Sequence, residues 1–204
     1  MSAAASAQTI VRVMSQLAAR QSSLCVAALA GARSFQEWRH YPEYDARDRD
    51  HRTEFYYHAH AANERLADEH GHFHVFARTN GGRRFHHLVG ISLNPLGLPT
   101  RLFLTNQWVT GESWVDAARI VPLLNRFDCR LSGRHAPVAA WITAMTRVYQ
   151  KEIAALHEQR EHWANREIRS VAERQVRLSD TRYSVVAQKK INLPQRLVML
   201  GAGA

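Results

Sequence analysis

Histidines recur with period two in two short segments of this 204-residue chain, 54–60 (EFYYHAH) and 70–76 (HGHFHVF). Successive side chains of a β-strand point to opposite faces, so each segment predicts a strand with one apolar face and one histidine face. A register slip of one residue would turn the histidines of one strand into the core. The predicted histidine face carries His58, His60, His72 and His74, with His70 in reserve.

Four imidazoles on one face are a candidate site for one metal ion. Pairing of His58 with His74, and of His60 with His72, would place opposed Cβ atoms about 4.5 to 5.5 Å apart. Neutral imidazole suits Zn, Fe, Cu or Ni, so the predicted cofactor is a divalent transition metal of unknown identity. Four histidine ligands would indicate a structural or storage site, and three with a water would indicate catalysis. The alternative is a solvated face of surface histidines.

Carboxylates near these segments are candidates for catalytic roles. Glu64 and Glu69 lie in or beside the connecting loop and are expected to act as ligand, as acceptor for an imidazole N–H, or as general base. Glu112 is a further candidate near the edge of the sheet. Adjacent residues of a strand face opposite ways, so at most one of His86 and His87 joins the site.

The rest of the chain predicts an α+β fold in a single domain, 1–204, whose central antiparallel sheet has four strands or more. Turn residues at 80–82 and 94–99 favour an antiparallel meander. The predicted strands are 53–60, 72–78, 85–93 and 101–109, with a short strand at 183–187 in the C-terminal part, 178–204.

Helices are predicted on both sides of the sheet, at 1–34 and within 113–177, joined to it in part by an exposed charged connection at 39–53. A capping box at 113–116 is expected to begin one helix, and Pro137 to begin another with a long apolar stripe. The string 157–162 (HEQREH) spaces its histidines five apart where a metalloprotease helix needs four, so it predicts a solvated helix end.

The net charge of +9 comes almost wholly from arginine, which favours contacts with carboxylate or phosphate. A second hypothesis is therefore a non-enzymatic module that binds an anionic ligand or nucleic acid through Arg160, Arg166, Arg169, Arg174 and Arg177. Interleaved glutamates favour a salt-bridged surface instead, and no nucleic-acid motif is visible. A third is a structural or interaction protein with a helical dimer face; the oligomeric state stays open.

The composition and the start of the chain favour a cytoplasmic protein with no membrane partner. The apolar run at 24–32 is too short to span a bilayer, and the polar stretch before it is long for a signal peptide. Cys25 and Cys129 lie far apart in apolar stretches and predict core thiols rather than a disulfide. A small-molecule substrate is a further candidate partner.

Two resemblances bear on this prediction. The string at 58–64 (HAHAANE), with Gly71 after it, resembles part of the first cupin metal motif, which implies histidine and glutamate ligands; Arg52 replaces the preceding glycine, and the second motif lacks its histidine. The strings HYP (40–42), YYHAH (56–60), EHGHFHVF (69–76) and TNQWVTGE (105–112) resemble an uncharacterised family of bacterial proteins of this length. That resemblance implies no activity.

Overall fold

The computed structural model describes residues 2–202 as an α+β fold with one antiparallel sheet between N-terminal and C-terminal helices. Within this range the strands are β1 (Tyr41–Asp48), β2 (Thr53–His58), β3 (Gly71–Thr79), β4 (Arg84–Leu93), β5 (Pro99–Thr105) and β6 (Val185–Lys190). The α-helices of the same range are α1 (Ala3–Ala19), α2 (Leu24–Ala28), α3 (Gln107–Thr110), α4 (Ala117–Arg126), α5 (Ala136–Val148), α6 (Gln150–Asn165), α7 (Val171–Leu178) and α8 (Leu193–Met199).

The strands lie in the order in which they occur in the chain, and every neighbouring pair is antiparallel. Tight turns make this order possible, because antiparallel neighbours need only a short connection. Gly81 and Gly82, with φ of +65° and +87°, occupy the left-handed region in the turn between β3 and β4. That conformation favours glycine, which has no Cβ to clash. The predicted turn at 80–82 is confirmed.

The two faces of the sheet have different surroundings. Phe73 and Val75 belong to the hydrophobic core together with Trp141 of α5, whose ring centroid lies 5.9 Å from that of Phe73. Helix α1 packs against α5 and extends this layer. The opposite face carries buried histidines and aromatic rings around a cavity. Most polar side chains of a folded protein are exposed, so this group of buried histidines marks a candidate functional site.

Strand β1 corrects the prediction of an exposed connection at 39–53. It pairs with β2 and buries Tyr41, Ala46 and Asp48, which are at most 5% exposed. Its charged residues and Pro42 concealed it, because the sequence lacks a clean alternation of apolar and polar positions. An edge strand tolerates both features, since one of its two sides needs no hydrogen-bonded neighbour.

The fourth predicted strand, 101–109, ends early, and the one at 183–187 runs on. Strand β5 stops at Thr105, where Asn106 caps the short helix α3 through its side-chain oxygen. Strand β6 begins at Val185 and continues to Lys190, beside β5. The predicted elements are therefore present with shifted bounds, as is common where local signals set the ends of elements.

The helix starts differ from prediction in two places. The predicted N-terminal helix is divided, because Ser23 caps a second helix, and Met1 lies outside the described residues. The capping box at 113–116 is wrong: α4 begins after Asp116, since the backbone of Ser113 instead donates to the carbonyl of Phe85. Helix α5 has Pro137 in its first turn, as predicted. No helix of residues 2–202 is long and apolar enough to cross a membrane.

Candidate metal centre

The pairing of β2 with β3 brings the histidines together in a register that differs from the predicted one. His58 lies opposite His72, and Tyr56 lies opposite His74. The predicted opposition of His58 with His74 is therefore wrong by two residues. A shift of two keeps every side chain on its face, so the histidines still share the side away from the apolar core.

Three buried imidazoles form the centre of this face. His58, His72 and His74 each offer a nitrogen, and these atoms all lie within 4.8 Å of one another. The Nε2 atoms of His58 and His72 are 2.7 Å apart. Two nitrogens bound to one tetrahedral ion lie roughly 3.4 Å apart. A small rotation of the rings would therefore fit the three side chains around one ion.

In two of these rings, those of His72 and His74, the Nδ1 atom has a hydrogen-bond partner outside the cluster. Glu69 Oε1 lies 2.7 Å from Nδ1 of His72, and His87 Nε2 lies 3.0 Å from Nδ1 of His74. Thr105 Oγ1 in turn lies 3.3 Å from Nδ1 of His87. Partners of this kind fix the orientation of a metal-binding imidazole and leave its other nitrogen for the ion. Both Nε2 atoms are thus available to the cluster.

Glu69 links the centre to a neighbouring part of the sheet. Its Oε2 accepts a hydrogen bond of 3.0 Å from Nη2 of Arg101, on β5. The remaining nitrogens of Arg101 donate to Ser92 and to Gln188. Burial alone would raise the pKa of Glu69, but His72, Ser92 and Arg101 outweigh it and lower that pKa to about 2. The carboxylate is therefore ionised at neutral pH.

Two histidines of the cluster, His58 and His74, are neutral in the same conditions. Burial, with a smaller contribution from His72 and His60, lowers the pKa of His58 to about 2. The pKa of His74 falls well below its ordinary value, first by burial and then by the charge of His87. Only a neutral imidazole has a free nitrogen lone pair, so burial keeps His58 and His74 in the form that binds a metal.

The cluster forms the floor of a cavity of about 690 Å³. Its walls include the rings of Trp38, Tyr56, Phe103 and Trp108. This volume lies in the range of about 300 to 1,000 Å³ typical of small-molecule sites. The candidate metal position is therefore open to a ligand that enters the cavity.

Two of the predicted ligands lie outside the cluster of three. The ring of His60, beyond the end of β2, is 5.1 Å from the rings of His58 and His72 and stacks on Trp38 at 4.3 Å. His70 precedes β3, and its Nδ1 lies 2.7 Å from the hydroxyl of Tyr57, a core residue. His70 thus leaves the histidine face, because the strand alternation does not extend to it.

The three predicted catalytic carboxylates are dispersed. Glu69 supports His72 from behind, and Glu64 is an exposed residue of the cavity wall. Glu112 is buried away from the cavity, where it accepts from the guanidinium of Arg160 and from the backbone N–H of His87. It therefore stabilises the fold near the site without reaching the cavity.

Sequence reasoning missed Arg101 and gave His87 little weight. His87 contacts His74, while His86 contacts Thr79 and the carbonyl of Ser113. Strand parity already limited the pair to one member of the site, and no local signal identified which. Arg101 lies two strands away from β3, so only the sheet order reveals its contact with Glu69.

The predicted solvated helix end at 157–162 holds only in part: Glu158, Gln159 and His162 are exposed, but His157 and Arg160 are buried. His157 and Arg160 are 2% and 1% exposed, and Nε2 of His157 lies 2.8 Å from the carbonyl oxygen of Leu88. Helix α6 packs against strands β5 and β6. This packing buries His157 against the backbone of β4 and Arg160 against Glu112.

Of the five arginines proposed as an anion-binding surface, four contact groups of the same chain. Arg160 pairs with Glu112, Arg174 with Asp116, and Arg166 with Glu167, while Arg177 donates to backbone carbonyls. The pair of Arg160 with Glu112 is buried, and the other contacts agree with a salt-bridged surface.

The sequence model of a family described as a domain of unknown function, DUF6969, matches residues 4–191. The chain belongs to this family. Comparisons with curated proteins and with solved structures found no match. The residues of the site are therefore the basis for any functional conclusion.

Proposed function

We propose that this DUF6969 protein is a mononuclear metalloenzyme in which His58, His72 and His74 bind one divalent transition metal ion. One observation carries the proposal: three buried imidazoles place nitrogens within 4.8 Å of one another, while Glu69 and His87 contact the other ring nitrogen of two of them. Imidazole ligands suit Zn, Fe, Cu and Ni, so the identity of the ion is left to measurement.

A metal accounts for this arrangement better than a cluster held by hydrogen bonds alone. The contact between Nε2 of His58 and Nε2 of His72 requires one ring to donate an N–H hydrogen bond to the other. It leaves Nε2 of His74 without a comparable partner. One ion would satisfy all three nitrogens at once. Three protein ligands also leave at least one coordination position for water or substrate, as is typical of catalytic sites.

The cavity supplies the remaining requirements for catalysis. A bound divalent ion supplies Lewis acidity and lowers the pKa of a bound water. Glu69 orients His72 but is itself held by Arg101, so it acts as a positioning residue. Glu64 is an exposed residue of the cavity lining, and we propose it as the group that transfers a proton. Glu112 has no such role, because it does not line the cavity.

Metal analysis tests the binding of an ion. Protein without a histidine tag is stripped with chelator and titrated with Co²⁺ and Zn²⁺. We expect one ion per chain and a higher melting temperature when metal is bound. The absorption spectrum of the Co²⁺ form should be typical of an ion with a low coordination number and nitrogen ligands. His72→Ala should abolish stoichiometric binding.

His70→Ala is the matched control, because His70 lies in the same histidine string but outside the cluster. It should bind metal like the wild type. Absence of stoichiometric metal, together with an unchanged melting temperature in chelator, would overturn the proposal. Metal loss on His60→Ala as large as on His72→Ala would instead identify a closed four-histidine site and overturn the catalytic role.

A further inference from the structure

The mouth of the cavity exposes large apolar side chains to water. Trp38 and Trp108 are 52% and 40% exposed, and Leu66 and Val185 are 47% and 37% exposed. All four line the same cavity above the histidine cluster. Burial of apolar surface is favourable, so an apolar rim around one pocket indicates a ligand that covers it.

The walls present flat surfaces. The indole of Trp38 stacks on the ring of His60 with an angle of 15° between the planes. The indole N–H of Trp108 donates to the carbonyl of Tyr183 at 2.9 Å, which holds that ring in place. Phe103, in the same wall, meets the rings of His72 and His74 edge-on. Aromatic ligands gain from stacked and edge-to-face contacts of this kind.

The charge at the floor favours an anionic group on the ligand. Imidazole coordinates a metal in its neutral form, so a divalent ion bound by three histidines keeps both of its positive charges. Glu69 does not offset these charges, since it is already paired with Arg101. A buried charge needs a compensating partner, and an anion at the open coordination position provides one.

From these features we propose that the cavity binds a small planar aromatic carboxylate. Its carboxylate faces the metal beside Arg101, and its ring lies against Trp38, Phe103 and Trp108. The inference rests on the proposed metal site and adds the chemical class of the ligand. A cavity of about 690 Å³ accommodates a molecule with a single aromatic ring or with two fused rings.

Calorimetry with a short series of probes tests this inference. Zinc-loaded protein is titrated with 2-naphthoate, with 2-naphthamide, which lacks the charge, and with acetate, which lacks the ring. We expect 2-naphthoate to bind at least tenfold more tightly than either of the others. Removal of zinc by chelator should weaken 2-naphthoate binding at least tenfold, because the carboxylate loses its partner.

Variants separate the aromatic wall from the metal. Trp38→Leu and Trp108→Leu should each weaken 2-naphthoate binding about five- to tenfold while the zinc content stays at one ion per chain. Tyr44→Leu is the matched control, because Tyr44 is an aromatic residue, 89% exposed, that does not line the cavity. It should bind 2-naphthoate as the wild type does.

The outcomes distinguish the two proposals. Full zinc content without detectable binding of 2-naphthoate at millimolar concentration would overturn the ligand class and leave the metal site intact. Equal binding of 2-naphthoate and 2-naphthamide would also overturn it. A protein that holds no zinc but binds 2-naphthoate with dependence on Trp38 would overturn the metal site and, with it, the orientation of the carboxylate, while the aromatic wall would stand.

Discussion

Glu69→Gln is expected to weaken metal binding while the three proposed ligands remain in place. The carboxylate serves His72 through one oxygen and Arg101 through the other, at 2.7 and 3.0 Å. An amide of the same shape has one oxygen, so it cannot accept from both partners. It also removes the negative charge that makes His72 a stronger ligand.

The size of the effect follows from these contacts. Loss of such a supporting partner lowers metal affinity about 10- to 100-fold, or about 1.4 to 2.7 kcal/mol. The fold is expected to lose about 3 kcal/mol as well, the lower end for a broken buried ion pair. The lower end applies because Arg101 keeps its contacts with Ser92 and Gln188.

Competition with a coloured chelator measures the affinity, and urea unfolding in chelator measures the stability of the metal-free form. Glu54→Gln is the matched control: Glu54 is a buried glutamate that pairs with Arg47 and Arg78 and touches no histidine of the cluster. It should lose comparable stability but no metal affinity. Unchanged affinity in Glu69→Gln, or an equal loss of affinity in Glu54→Gln, would refute the reasoning.

Three further substitutions test the surroundings of the site. Burial, followed by the nearby charge of Arg160, lowers the pKa of His157 to about 3. The contribution of neutral His157 to stability is therefore complete above about pH 6.5 and is lost as pH falls towards 3. Urea unfolding at several pH values between 4 and 7 gives the free energy of unfolding at each pH. In His157→Gln this free energy should fall less steeply with decreasing pH than in the wild type, by roughly 1 kcal/mol per pH unit. In Gly90→Ala the new Cβ would clash with the ring of Phe103, so we expect a loss of about 1 to 3 kcal/mol in thermal unfolding and weaker metal binding. Glu112→Gln leaves the guanidinium of Arg160 buried without its anion and should lower the free energy of unfolding by about 3 to 5 kcal/mol. The double variant Glu112→Gln/Arg160→Met should regain much of this loss, because it leaves no unpaired buried charge.

Strand parity predicted the histidine face but not the register. The core pattern of β2 and β3 is the same for any shift of two residues, so hydrophobicity does not distinguish the opposition of His58 and His72 from the predicted one. The connection between the strands, residues 59–70, is too long to fix the register as a two-residue turn would. Long-range packing decides the pairing, and a single sequence does not display it.

The surroundings of the cluster were harder to predict for the same reason. Arg101 reaches Glu69 across β4, and Glu112 meets Arg160 across 48 residues of sequence. Such contacts depend on the sheet order and on the helices that cover it. The predicted acceptor role of Glu69 was easier to foresee, because Glu69 lies three positions before His72 and the contact forms within one hairpin.

The contacts of Arg101 extend the centre to the edge of the sheet. From His72 the line of hydrogen bonds runs through Glu69 and Arg101 to Gln188 on β6, the last strand in the sheet order. An ion that fixes His72 therefore also restrains a strand that has only one neighbour. Amide hydrogen exchange along β6 should slow on metal loading, so the outermost strand would report occupancy of a metal position to which it contributes no ligand.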